Sequence, residues 1–197
     1  MKKKIIFVTP TYNASNHLFE CYESLKEQTN PDWSWVILND VSTDDTFEIA
    51  NRIVMSDERE RVIVVNHGDQ KKFALKGIYD HLSSTIFYND ASDKIIAILD
   101  GDDCLCNENT VDLILNQYEK NPELDALWTA HTWDINGMNI SKELPEKINP
   151  YQYPWVSSHL KTFNLSVFRK IKKENFIDLD GNWFERGYDQ ALYLPIL

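Results

Sequence analysis

Ile98-Leu99-Asp100-Gly101-Asp102-Asp103 ends an apolar run in three carboxylates within four residues. Like charges this close repel and raise one another's pKa, so the arrangement calls for a cation. Hard oxygen donors suit Mg²⁺ or Mn²⁺, held so that positions stay open for phosphate oxygens. In isolation Asp-Gly and Asp-Asp are turn residues; their place at the end of a strand favours a site. A second carboxylate, Asp40, stands in Asn39-Asp40-Val41-Ser42-Thr43-Asp44-Asp45-Thr46. Placed at a strand end it can accept an N–H of a nucleobase, a buried polar contact that discriminates strongly. Thr43 to Asp45 read as a helix cap. In Thr9-Pro10-Thr11-Tyr12-Asn13, Tyr12 offers a ring for stacking on a base and Thr11 a hydroxyl to bond it.

The elements that must position these residues alternate along the first 120 positions. Strands are expected at Lys4–Val8, Trp33–Leu38, Arg61–Val65 and Lys94–Leu99, all short, apolar and rich in β-branched and aromatic residues. Helices are expected over Asn16–Gln28 (capped by Ser15 or Asn16), after Thr46, over Lys72–Leu82 and over Asn109–Lys120, where apolar residues recur at helical spacing. This alternation implies parallel βαβ units with helices on both faces of the sheet. Ligands in such sheets bind beyond the carboxyl ends of the strands. That rule points to Thr9–Tyr12, Asn39-Asp40, Asn66–Lys72 and Asp100–Asp103. Past residue 121 the pattern is irregular. Asp125–Trp133 reads as a strand, Pro145–Pro154 as a loop, Thr162–Arg169 as a strand or helix and Tyr188–Leu197 as a short helix.

The chain has 197 residues, the size of one domain, and no linker or repeat divides it. A formal charge of −11 argues against a nucleic-acid partner, because no basic excess exists to neutralise phosphates. A phosphorylated small molecule remains compatible, since a bound cation supplies positive charge. Hydrophobic content of 43% is enough for a core. No apolar run approaches the ~20 residues of a membrane span, and the run after Lys4 is too short for an export signal. Cys21, Cys104 and Cys106 form neither a disulfide framework nor a metal-ligand pattern. These features predict a cytoplasmic location.

Four segments in order, Ile6-Phe7-Val8-Thr9-Pro10-Thr11-Tyr12-Asn13, Ser24-Leu25-Lys26-Glu27-Gln28-Thr29, Val36 to Thr46 and Ile98 to Asp103, resemble a family 2 glycosyltransferase of GT-A fold over about the first 105 residues. Two positions depart from the family pattern. Asn39 replaces an Asp, and Val41 replaces a Gly, so the backbone of that turn is expected to differ while Asp40 keeps its place. The resemblance implies an α/β three-layer sandwich with a mostly parallel central sheet. Residues 1–197 would be one GT-A domain, with 1–106 binding the nucleotide-sugar and 107–197 forming the acceptor side. The chain would be either a minimal enzyme or the catalytic module of a longer protein.

The same resemblance implies transfer of a sugar, with inversion, from a nucleoside-diphosphate sugar (a UDP-sugar foremost) to an acceptor hydroxyl on a glycan, lipid-linked or protein acceptor. Pro10, Thr11, Tyr12, Asp40, Lys72, Asp100, Gly101 and Asp102 would bind the donor, with Lys71 an equal candidate for the basic position. Asp102 would be the leading ligand of Mn²⁺ or Mg²⁺, and Asp100 would touch ribose or metal. The family's "ED" pair matches Tyr188-Asp189, which leaves Asp189 as the general base and Glu185 as runner-up. Trp128–Trp133 and Trp155–Leu160 each combine aromatics with a histidine, suited either to acceptor sugars or to packing on the sheet. Two other functions are open: a nucleotidyltransferase, although Thr9–Ser15 lacks the expected Gly-rich basic loop, and a catalytically silent nucleotide-sugar-binding module.

Overall fold

The computed structural model describes residues 3–84, 90–133, 135–139 and 141–197. Six strands form one sheet: β1 (Lys4–Thr11), β2 (Trp33–Asn39), β3 (Val62–Asn66), β4 (Lys94–Ile98), β5 (Ala126–Trp128) and β6 (Lys161–Asn164). Their spatial order is β3-β2-β1-β4-β6-β5. The first four are mutually parallel, and β6 runs antiparallel to both β4 and β5. The helices are α1 (Leu18–Lys26), α2 (Thr46–Ser56), α3 (Phe73–Ser83), α4 (Thr110–Lys120), α5 (Leu165–Phe168) and α6 (Tyr188–Tyr193).

Side chains alternate across each strand, so the central strands feed two cores. Ile5, Phe7, Trp35, Ile37, Ile95 and Ala97 meet the buried faces of α1, α2 and α4. Ile6, Val8, Val36, Leu38, Ile96, Ile98 and Phe163 meet α3, α5 and α6. The result is the expected three-layer α/β sandwich. Fully burying one such side chain contributes ~1.5–3 kcal/mol, which is why β1, covered on both faces, reads as an unbroken apolar run.

Some boundaries differ from expectation. The helix expected from Asn16 begins at Leu18, with His17 at its N-cap position and no side-chain cap bond. The strand expected over Asp125–Trp133 is three residues long, and among the described residues it pairs with the four-residue β6 alone. Thr162–Arg169 divides into the end of β6 and the whole of α5. None of the three cysteines is joined in a disulfide. Among the described residues no helix is long and apolar enough to cross a membrane.

Candidate active site

The chain passes from β1 outward to β2 and β3, then crosses back to β4 on the other side of β1. The reversal leaves a crevice at the carboxyl ends of β1 and β4, where no helix connects neighbouring strands. A cavity of about 380 Å³ lies there, lined by Pro10, Thr11, Tyr12, Asp40, His67, Phe73, Asp100, Gly101, Asp102 and Tyr188 among others. Gly101 is needed for the closeness of its two walls. A Cβ at this position would stand 3.0 Å from Thr11 Cγ2 and 3.4 Å from Ala14 Cβ.

The loop after β1 is clasped by the turn after β2. Asn13 Oδ1 accepts the Thr43 N–H at 2.8 Å, its own N–H reaches Ser42 Oγ at 3.1 Å, and the Ala14 N–H reaches Thr46 Oγ1 at 2.8 Å. Asp44 accepts the Thr46 N–H at 3.0 Å and the Ser15 N–H at 3.2 Å. Thr43 to Asp45 thus do more than begin α2; they hold Tyr12 and Asn13 at the mouth of the cavity. Val41 adopts φ 60°, the left-handed region a glycine enters without cost. The turn therefore keeps the conformation a glycine would allow, and a β-branched residue carries the strain.

Asp40 is buried and already bonded. Its Oδ1 accepts the Lys72 N–H at 2.6 Å and lies 3.2 Å from His67 Nδ1; its Oδ2 accepts the Phe73 N–H at 2.8 Å. It therefore caps α3, and Oδ2 keeps a lone pair free for a base N–H. Lys72 contributes its backbone to that arrangement. Its ammonium turns away to Asp80 at 2.9 Å, beside Lys76, instead of entering the cavity. The cation at the mouth is Lys71, whose Nζ sits 3.1 Å from the Tyr12 ring centroid.

At the other end, burial raises the Asp100 carboxyl to about 6 against the Tyr188 hydrogen bond and the nearby His159, which hold it down. Tyr188 donates its hydroxyl to Asp100 Oδ1, and burial, with the neighbouring carboxylates, pushes that phenol well above its usual range. Asp103 is also raised, chiefly by burial. His159 Nδ1 lies 3.4 Å from Asp103 Oδ2 and 3.9 Å from Asp100 Oδ2. One ligand atom each of Asp100, His159 and Asp189 falls within 4.8 Å of the others. Two carboxylate oxygens and an imidazole nitrogen this close fit a divalent cation. Asp102 is exposed at the cavity wall and stands outside this trio, so the ligand set that the geometry favours centres on Asp100.

Asp189, in the first turn of α6, pairs with Lys161 at 3.2 Å. Glu185 is exposed, with no part in the cluster. The sequence motifs do not point to Lys161, His67 or the Tyr188 hydroxyl, and they place His159 with the acceptor sugars or with packing on the sheet, not beside Asp100. Lys161 carried a signal, a lone charge inside Leu160-Lys161-Thr162-Phe163. His67 carried another, its place just past β3.

Residues 6–180 match the sequence model of glycosyl transferase family 2. The chain belongs to that family. Among curated family 2 relatives it is similar to Glycosyltransferase GlyG of Streptococcus pneumoniae, 26% identical over 97% of this chain and 64% of that protein. It is also similar to a chondroitin synthase of Pasteurella multocida, 26% identical over 87% of this chain and 18% of that protein. The chain thus spans less than two thirds of the length of either. In fold it resembles Staphylococcus aureus TarS 1–349 in complex with UDP-GlcNAc, with TM-score 0.69, 17% identity, and coverage of 98% of this chain and 54% of that one. The mannosyltransferase PcManGT from Pyrobaculum calidifontis, in complex with GDP-Man and Mn²⁺, gives TM-score 0.63 at 16% identity over 86% of this chain and 47% of that one. These likenesses establish a GT-A fold for this family 2 chain.

Proposed function

We propose that this protein transfers a sugar from a nucleoside-diphosphate sugar, a UDP-sugar foremost, to an acceptor hydroxyl with inversion at the anomeric carbon. The observation that carries the reading is one crevice lined by an aromatic ring and a buried carboxylate, Tyr12 and Asp40, together with the acidic turn Asp100, Gly101 and Asp102. A base-binding pair and a cation-holding turn in one cavity suit a nucleoside diphosphate. The relatives support it, since the TarS and PcManGT structures hold nucleotide-sugars. Residues 1–197 are read as one such domain, with the acceptor side in 107–197.

In this reading Tyr12 stacks on the base, Thr11 and Pro10 pack its edge, and Asp40 accepts an N–H at Oδ2. Lys72 acts through its backbone, by fixing Asp40, and Lys71 leaves the Tyr12 face when the base takes its place. Asp100 and Asp102, with His159 beside them, would hold Mn²⁺ or Mg²⁺, which when bound neutralises charge on the diphosphate leaving group. Asp189 takes the proton from the acceptor hydroxyl as that oxygen attacks the anomeric carbon from the face opposite the diphosphate. The hydroxyl oxygen forms the new glycosidic bond, and the bond from the anomeric carbon to the diphosphate oxygen breaks with its electron pair.

Thermal-shift measurements with UDP-, GDP- and dTDP-sugars, each with and without Mn²⁺, test the reading, because a ligand bound only by the native state raises its stability. A rise with a UDP-sugar that needs Mn²⁺, and slow UDP release without acceptor, is the expected result. Donor binding without any UDP release would favour the silent binding module instead.

A further inference from the structure

Lys161 is an unusual residue for the middle of a sheet. It lies between Ile98 on β4 and Trp128 on β5 in the ladder, and its side chain is 2% exposed. Phe163, two positions on, belongs to the core beneath α3 and α6, so Lys161 projects from the same face of β6. Its ammonium emerges under the first turn of α6 and meets Asp189 Oδ1 at 3.2 Å. This is the one ion pair of Lys161 among the described residues. A buried ammonium deprived of its ion-pair partner is strongly unfavourable.

The trio Asp100, His159 and Asp189 poses a choice, because Asp189 cannot serve well as both cation ligand and general base. We propose that Lys161 makes that choice: it is a positioning residue whose fixed ammonium holds Asp189 out of the metal's coordination sphere and keeps it available as the base. The cation is then left to Asp100 and His159, with Asp102 beside them. Two physical facts support this. A metal bound to Asp189 would lie about 2.1 Å from its oxygen, within a few ångströms of the ammonium, and two cations so near repel. Drawing the carboxylate towards the metal would also strand Lys161 in the core. The inference rests on the reading of Asp189 as base.

The test is Mn²⁺ titration, followed by the spin-resonance signal of the free ion, on the whole chain. The wild type, Asp100→Asn, Asp189→Asn, Lys161→Met, Lys161→Arg and the double variant Lys161→Met/Asp189→Asn are compared, with melting curves for each. Asp100→Asn is expected to lose Mn²⁺ binding, while Asp189→Asn, which leaves the Lys161 ammonium unpaired beside the site, weakens it by a smaller factor. Lys161→Met frees Asp189 to join the ion and removes a cation a few ångströms away, so Mn²⁺ binding tightens ~10-fold or more, the scale of one charge repulsion near a protein surface. The double variant returns to wild-type affinity, and Lys161→Arg keeps it. Should Lys161→Met fail to fold, the double variant, which removes both charges of the pair together, decides alone. Mn²⁺ binding by the double variant weaker than that of the wild type, or identical binding by folded Lys161→Met and wild type, overturns the proposal. A wild type that takes up no Mn²⁺ at all overturns the cation reading beneath it, a different pattern from either.

Discussion

A Cβ on Gly77 would stand 2.6 Å from Cε1 of His67, so the glycine in α3 is what lets the imidazole lie against the helix and reach Asp40. His67 is buried and cannot swing aside freely. Glycine inside a helix costs ~1 kcal/mol relative to alanine, and Gly77→Ala should recover that in an open position. Here the methyl group displaces the ring from Asp40 instead. The expected outcome is a variant no more stable than wild type in urea, with weakened binding of UDP by calorimetry.

Asp40 has a structural duty that a donor-binding role alone would not reveal. Its carboxylate accepts the Lys72 and Phe73 N–H groups at 2.6 and 2.8 Å, and Phe73 holds φ 60°. Without the carboxylate these N–H groups lose their partner at a strained helix start. Asp40→Ala is expected to lower unfolding stability by ~2–4 kcal/mol, from two charge-assisted bonds and a lost cap. Asp40→Asn retains one acceptor oxygen and is expected to lose about half as much. Denaturant titration without donor measures this directly, and an unchanged midpoint for Asp40→Ala would contradict the capping role.

The pH response of the metal-free protein follows from Asp100. Its carboxyl titrates near 6 in the fold, through burial first, against a usual 3.8. The native state therefore binds this proton more tightly than the unfolded chain between those values. Stability from this group is fully present below 3.8 and is lost as pH rises through 6. At ~1.4 kcal/mol per pKa unit the loss amounts to at most ~3 kcal/mol. His81, pushed down to about 4 by burial and then by His67, works in the opposite direction, so the informative quantity is wild type minus Asp100→Asn. That difference should fall between pH 4 and 7, and a flat difference would refute the assignment.

The fold was legible because its strands are short apolar runs and its helices carry one buried stripe each, a pattern local to each element. Asp40 and Asp100 were legible for a related reason: a carboxylate just past an apolar run marks a strand's end, where these sheets bind ligands. The direction of the Lys72 ammonium was not legible, since sequence cannot tell that Asp80, eight residues on, takes it. The Tyr188–Asp100 bond joins positions 88 apart, and the Lys161–Asp189 pair joins positions 28 apart. Neither contact exists until β6 enters the sheet antiparallel to β4, and no periodicity encodes that. The Val41 turn went the other way. A missing glycine suggested a changed backbone, but the clasp from Asn13 to Ser42 and Thr43 holds the left-handed turn regardless.

Gln28, in the motif after α1, is a residue whose role emerges from long-range bonds. Its Nε2 donates to the Ser24 carbonyl at 3.1 Å and the Asn107 carbonyl at 2.9 Å, while its Oε1 accepts the Val111 N–H at 3.1 Å in the first turn of α4. Nearby, Ser24 Oγ accepts the Leu105 N–H at 3.0 Å. Together they pin the segment that leads from Asp100–Asp103 into α4. Gln28→Ala leaves two buried backbone groups short of a partner, each costing ~1–3 kcal/mol, so a stability loss of ~2–6 kcal/mol is expected. Gln28→Glu keeps the bond to Val111 but turns the donor facing two carbonyls into an acceptor, and should be at least as damaging. If the segment is pinned for the sake of the acidic turn, hydrogen exchange at Leu105 to Val111 will rise in Gln28→Ala well before the strands open. Exchange rising uniformly across the chain would instead make Gln28 a general contributor to stability with no particular hold on the site.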